Sequence, residues 1–316
     1  MKSLTSLCLA VVAMAAGCLL AGCSKSETAA GNAPAKPRVA LVMKSLANEF
    51  FGTMTAGAKA HQAAHAADYE LIANGIKNET DLSEQVALVD QMVAMQVSAI
   101  VIAPADSKAL VPALKRARQA GIVVINIDNR LDAAAMQEAG LQVPFVGPDN
   151  RAGALAVGRV VTARLQKGDA VAIIEGIPTA DNGRQRRLGF EEAIKEAGLN
   201  LVSVQSGQWE MEKANTVAGS LLNAHPNLKA IFCANDNMAL GAVAAIKAAG
   251  REGQVLVAGF DNIKAMGPLL ASGAVLATAD QHGDQLAVFG IEAALEALRL
   301  QQTGSDRSTP VDVVAR

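Results

Sequence analysis

Asn48, Asp128, Asn235 and Asp261 each follow a short apolar run, and their types and placement promise chemistry. A carboxylate only accepts hydrogen bonds, whereas a carboxamide both accepts and donates. Four such groups form a recognition set rather than a reaction set, because no nucleophile with a paired acid or base stands among them. There is no G-x-S-x-G elbow, no G-x-G-x-x-G after an apolar run and no G-x-x-x-x-G-K-[ST] phosphate loop. His61 and His65, four apart, could chelate a metal, but no third ligand is near and a solvated helix face is the reading adopted. Cys233 lies in the apolar stretch 230–234, where a thiol packs as a small inert hydrophobe. Asn78-Glu79-Thr80 spells a glycosylation sequon and reads as a turn. Asp236 reads as the N-cap of a helix over 238–249, while Asn235, which could cap as well, is kept for the site. No metal, no cofactor and no enzymatic activity are expected.

These residues need elements to hold them. Runs at 39–43, 100–103, 122–127, 170–174, 230–234 and 255–260 are near-continuous in Val, Ile, Leu and Ala, as in parallel strands covered on both faces. Amphipathic stretches at 82–95, 108–120, 152–165, 185–197 and 238–249 alternate with them. Gly121, Gly198 and Gly250 close three of these as C-caps. Repeated βα units predict a parallel α/β sheet with right-handed crossovers. The pattern runs twice, over 38–148 and again over 149–279, before a helix at 281–300 and an apolar end at 311–314. Two similar doubly wound lobes would leave a cleft where the carboxyl ends of both sheets face each other. The polar residues fall at those ends.

A length of 316 residues suits about two domains of roughly 150. Lys and Arg number 28 against 30 Asp and Glu, a net charge of -2, so no basic excess exists to follow a nucleic-acid backbone. The hydrophobic fraction of 51% excludes a disordered chain. Aromatics are 3%, with seven Phe, one Tyr and one Trp, so the core must be mainly aliphatic and each ring is a conspicuous choice.

The first residues read as export rather than fold. Lys2 precedes an apolar run over 7–22, short of the about 20 residues that cross a bilayer. Leu20-Ala21-Gly22-Cys23 resembles the lipobox of bacterial lipoproteins, whose Cys is acylated. An ordinary cleaved signal can also end in Ala-Gly-Cys, and Ala16-Gly17-Cys18 is a weaker second candidate. Residues 1–23 are thus assigned to a signal peptide with a lipobox. Cys8, Cys18 and Cys23 all lie there, which leaves Cys233 without a disulfide partner in the body. Residues 24–37, rich in Ala, Ser, Pro and Lys, read as a flexible tether.

An ordered set of local motifs runs through the body. Lys44-Ser45-Leu46-Ala47-Asn48-Glu49-Phe50-Phe51 follows the first run, Asn126-Ile127-Asp128-Asn129 the third, and Gly147-Pro148-Asp149-Asn150 marks the lobe crossing. Glu175-Gly176, Arg184-Gln185-Arg186-Arg187 and Trp209 come next. Cys233-Ala234-Asn235-Asp236-Asn237, Gly259-Phe260-Asp261 and Ala277-Thr278-Ala279-Asp280-Gln281 complete it. With these motifs, the chain from Arg38 to about Val314 resembles the periplasmic sugar-binding proteins of ABC importers, of the ribose or allose type.

The resemblance implies a type I periplasmic binding protein: α/β, with two similar doubly wound parallel-sheet lobes joined by a three-strand hinge. Residues 38–148 plus 282–309 would form the N-terminal lobe, and 149–281 plus 310–316 the C-terminal lobe. It implies hydroxyl contacts from Asn48, Asp128, Arg186, Asn235, Asp261 and Gln281, stacking from Phe50, Phe51 and Trp209, and Lys44 as in the allose type. Among the neighbouring arginines only Arg186 is in register. The family's usual Arg or Glu after the strand-end Asp is here Asn129, followed by Arg130, so either could face the sugar and its identity stays open. Residues 130–145 are longer than in the ribose type, and Gly147 and Asp149 fall at the hinge. The expected ligand is a monosaccharide and the expected partner an ABC permease of the inner membrane. A chemoreceptor or histidine kinase is the alternative partner. Nucleic acid is not expected, because a repressor of this fold needs an N-terminal helix-turn-helix where this chain has a leader. A periplasmic monomer anchored through lipidated Cys23 is expected.

Overall fold

The structure, a computed structural model, describes residues 36–315. The leader, Cys23 and most of the tether lie outside the described residues. The first half of the body runs β1 (Arg38–Ser45), α1 (Glu49–Ala64), β2 (Glu70–Ile76), α2 (Leu82–Ala94), β3 (Ala99–Ile102), α3 (Val111–Gln119), β4 (Val123–Ile127), α4 (Ala133–Ala139) and β5 (Phe145–Pro148). The second half runs α5 (Asn150–Thr162), β6 (Ala170–Glu175), α6 (Asp181–Glu196), β7 (Asn200–Ser206), α7 (Met211–Ala224), β8 (Leu228–Cys233), α8 (Asp236–Ala248), β9 (Leu256–Ala258), α9 (Met266–Ser272) and β10 (Ala277–Asp280). Helix α10 (Gly283–Leu300) and strands β11 (Arg307–Thr309) and β12 (Asp312–Ala315) close the chain.

Two six-stranded sheets result, ordered β11-β5-β4-β3-β1-β2 and β12-β10-β9-β8-β6-β7. Every pairing is parallel except that of β10 with β12. The alternation inside each buried strand explains the layers. Val39, Leu41 and Met43 of β1 face α1 and α10, while Ala40 and Val42 face the core shared with α2 and α3. In the second sheet, Val171 and Ile173 of β6 pack with α5 and α6, and Ala172 and Ile174 pack toward α7 and α8. Two covered faces require apolar residues at every strand position, which is why the central strands read as continuous runs.

Gly121, Gly198 and Gly250 follow their helices at φ +81°, +66° and +65°, the left-handed geometry that favours glycine. The chain passes between the sheets three times: from β5 into α5, from β10 into α10, and from β11 into β12. Those crossings are the three-strand hinge. Four rings, Tyr69, Phe190, Phe232 and Phe260, are wholly buried, so the core uses more of the scarce aromatics than the composition suggested.

Candidate functional site

At the carboxyl ends of the two sheets a polar cavity lies between the lobes. Lys44, Asn48, Phe50, Phe51, Glu79 and Asp128 line it from one lobe, and Asn182, Arg186, Trp209, Asn235, Asp261 and Gln281 from the other. Each residue arrives by a local device. Asn48 and Asn235 are the N-caps of α1 and α8: their side-chain oxygens accept from Phe50 N at 3.0 Å and Met238 N at 2.9 Å. Capping therefore fixes each amide and turns its nitrogen away from the helix, toward Glu79 Oε1 for Asn48 and Trp209 O for Asn235. Asp236 is not the cap. It begins α8 behind the wall, buried, with Thr278 Oγ1 donating at 2.7 Å and Ile263 N at 3.0 Å.

The two strand-end carboxylates share a backbone peculiarity. Asp128 has φ +61° and Asp261 has φ +122°, conformations that cost non-glycine residues about 1–3 kcal/mol and cluster at functional sites. At Asp128 the following Asn129 N–H donates back to Ile127 O at 2.7 Å, making a tight turn. That turn aims Asp128 into the cavity and carries Asn129 past it. Asn129, which the sequence offered beside Arg130 as a candidate ligand contact, therefore does not line the cavity. Its amide nitrogen donates to Pro104 O at 2.9 Å and its oxygen accepts from Asn182 N at 3.1 Å. Arg130 does not face it either; it is exposed and pairs with Asp306 at 2.6 Å while lying over the Phe145 ring.

Each lobe contributes one buried ion pair. Lys44 Nζ stands 2.9 Å from Asp128 Oδ2, off the direction of a hydrogen bond, so that oxygen keeps its hydrogen-bonding capacity. Arg186 Nη1 stands 3.2 Å from Asp261 Oδ1 and also donates to Ala234 O at 2.9 Å, while its Nε donates to Asn150 Oδ1 at 2.7 Å. Its guanidinium lies 3.8 Å from the Phe260 ring centre. Gln281 Nε2 completes the group, donating to Asp261 Oδ1 at 2.7 Å. Burial, with the Asp236 and Asp128 carboxylates nearby, pushes Asp261 well above the ordinary carboxylate range against the pull of Arg186. Arg184 and Arg187 instead face outward and pair with Asp181, Glu175 and Glu191.

The rings form the apolar walls. Phe50 and Phe51 meet edge to face at 5.2 Å, and Lys44 Nζ lies 5.6 Å from the centres of both Phe51 and Trp209. Trp209, at φ +67°, rests against Gly176, where a Cβ would stand 2.1 Å from the indole. Only glycine at 176 leaves the ring in place.

Glu79 and Asn182 escaped the sequence reading. Glu79 sits in the Asn78–Thr80 turn, which Asn78 Oδ1 closes by accepting from Thr80 N at 3.1 Å. Its strand, β2, is a half-buried edge strand without a continuous apolar run, so its end could not be located. Asn182 lies four before Arg186 on α6, one turn away on the same face, and that spacing was the available signal. Glu79 Oε1 accepts from Asn48 Nδ2 at 3.4 Å, and burial pushes its acid up to about 7 despite Lys44. Four buried polar atoms on the lining residues make no hydrogen bond: Glu79 Oε2, Asp128 Oδ2, Gln281 Oε1 and Trp209 Nε1. They offer three oxygens and one N–H to an occupant.

Elsewhere, His61 and His65 stack at 4.1 Å and bond to Tyr69 OH and His61 O. Among the described residues, no group of three or more His, Cys, Asp or Glu is placed to hold a metal. The Cys233 thiol is wholly buried and burial pushes its pKa up. Among the described residues, no helix is long and apolar enough to cross a membrane.

This geometry, two doubly wound lobes around a polar cavity at their sheet ends, is that of a two-lobed binding protein. The family model of the periplasmic binding protein domain matches residues 39–302, and the chain belongs to that family. The D-ribose/D-allose-binding protein of Pseudomonas aeruginosa is 57% identical over 285 residues, 89% of each chain. A solute-binding protein of an ABC transporter from Burkholderia multivorans, its unknown ligand built as α-D-erythrofuranose, superposes with a TM-score of 0.87. It is 55% identical and the match covers 89% of this chain and 99% of that one. A periplasmic solute-binding protein from Actinobacillus succinogenes with bound D-allose gives a TM-score of 0.82 at 39% identity, covering 89% and 98%.

Proposed function

We propose that the chain captures a monosaccharide of the ribose or allose kind between its lobes and presents it to an ABC permease of the inner membrane. The observation that carries this reading is the cavity's polar inventory: the buried Lys44–Asp128 and Arg186–Asp261 pairs, four buried polar atoms that make no hydrogen bond, and three rings. Sugar hydroxyls donate and accept at once, which suits carboxylates, a guanidinium and amides together. Sugar C–H faces suit flat rings that offer large contact area. Hydrogen bonds to charged groups contribute roughly 1.5–3 kcal/mol each, and micromolar affinity needs only about -8 kcal/mol, so a few such bonds suffice. The names of the relatives support transport and give the sensor reading nothing.

Trp209 is the only Trp in the sequence. Its emission should change saturably with D-ribose, D-allose or a stereoisomer of either. Flat emission and no heat with any of them would sink the proposal. In the same reading the protein works in the periplasm, held at the membrane by acylated Cys23. Labelled palmitate should enter the wild type and not Cys23→Ala; equal labelling would remove the anchor.

A further inference from the structure

We propose that Ser107 and Asn129 cap α6 from the opposite lobe, so that closing the lobes completes the helix that carries Arg186. The first N–H groups of a helix have no partner within it. In α1, α2, α4, α5 and α8 the residue just before the helix supplies a side-chain oxygen. At α6 that residue is Ala180, which has none to supply. Instead Asp181 N donates to Ser107 Oγ at 2.9 Å and Asn182 N donates to Asn129 Oδ1 at 3.1 Å. Both acceptors lie in the N-terminal lobe and are buried.

These acceptors are oriented by their own lobe. Asn129 Nδ2 donates to Pro104 O at 2.9 Å, which turns Oδ1 toward α6. The Asn129 carbonyl accepts from Asn126 Nδ2 at 2.8 Å, holding the turn beneath it. Ser107 Oγ gives its hydrogen to Arg130 O at 2.7 Å and so meets Asp181 N as an acceptor. The oxygens are thus fixed by contacts that do not involve α6. Opening the lobes would hand the Asp181 and Asn182 N–H groups to water; closing returns them to fixed partners. Arg186 stands one turn further along the same helix and reaches Asp261. Ser107 and Asn129 are therefore positioning residues: neither lines the cavity, yet they stabilise the closed form. The same contacts give Asn129 a role after it leaves the cavity wall.

This inference rests on the sugar-binding reading, and the experiment separates the two. D-allose binding would be followed by stopped-flow Trp209 emission for wild type, Asn129→Ala, Ser107→Ala and Ser107→Thr. Hydrogen exchange at residues 181–183 would be read with and without D-allose. Each Ala variant should dissociate D-allose about tenfold faster with little change in association, since a lost cap weakens only the closed form. Exchange at 181–183 should quicken in the sugar-bound Ala variants, and Ser107→Thr, which keeps the hydroxyl, should stay near wild type. If one Ala variant does not fold, the other carries the test. Wild-type dissociation and wild-type exchange in the Ala variants overturn the cap and leave sugar binding intact. A wild type that answers neither D-allose, D-ribose nor any stereoisomer of either overturns sugar binding; the cap then stands or falls on whether the Ala substitutions quicken exchange at 181–183 in the sugar-free protein.

Discussion

Glu79 places a proton inside the cavity. Burial raises its acid from 4.5 to about 7, and Asp236, behind the wall, is raised to about 6 by the same cause. The folded protein keeps a proton on Glu79 that the unfolded chain releases near pH 4.5. The stability that Glu79 contributes should therefore fall as pH rises from about 4.5 to about 7 and be lost above that range. The full shift corresponds to about 3 kcal/mol for the closed form. Glu79→Gln, neutral throughout, should lessen the fall, with the raised Asp236 and Asp261 carrying the remainder. Thermal melts of both proteins from pH 4 to 8 decide this, and parallel curves would show that Glu79 does not titrate in the window. The sequence disclosed Asp128 and Asp261 because each ends a run of buried strand residues. It concealed Glu79 because β2, exposed at the sheet edge, has no such run. It left Asn129 and Arg130 as alternatives where neither faces the cavity, since the tight turn over Ile127–Asn129 decides which side chain points inward, and nothing in the residue types records that turn.

At the scale of elements, caps and recognition share side chains. Asn235 holds Met238 N with its oxygen and directs its nitrogen to Trp209 O at 3.3 Å. Asn235→Ser keeps a good capping oxygen but not the amide nitrogen, so it should melt near wild type and bind sugar more weakly. Asn235→Ala should lose both, with about 0.5–2 kcal/mol of stability gone from the cap. Equal melting of the two variants would mean that the cap does not stabilise α8. The central strands and several helices were legible because two-sided burial and 3.6-residue amphipathicity are properties of composition. Edge strands β2 and β7, half-buried along most of their length, were not legible. The short β5 and β10 were also missed, being four residues each and set among polar turns.

At the scale of the molecule, two similar sheets bring one charged pair each to a shared space, and three crossings let the lobes move as units. N–H groups from each lobe reach across to the other: Glu79 N donates to Glu210 Oε1 at 3.3 Å, and Lys264 N donates to Glu49 Oε1 at 2.9 Å. Closure thus joins backbone to carboxylate at the rim and, in the proposed function, ligand to ion pair at the centre. The doubled βα pattern made the two lobes legible in the sequence; the cross-lobe contacts were not, because they join residues more than fifty positions apart that no local pattern links. The central claim is that a monosaccharide occupies this cavity on Arg186 and its partners. Calorimetric titration of D-ribose and D-allose into the wild type and into Arg186→Ala tests it most directly. The account predicts one-to-one binding of at least one of these sugars at micromolar or tighter affinity in the wild type and no measurable heat in Arg186→Ala. No heat in the wild type, or wild-type affinity in Arg186→Ala, would contradict it.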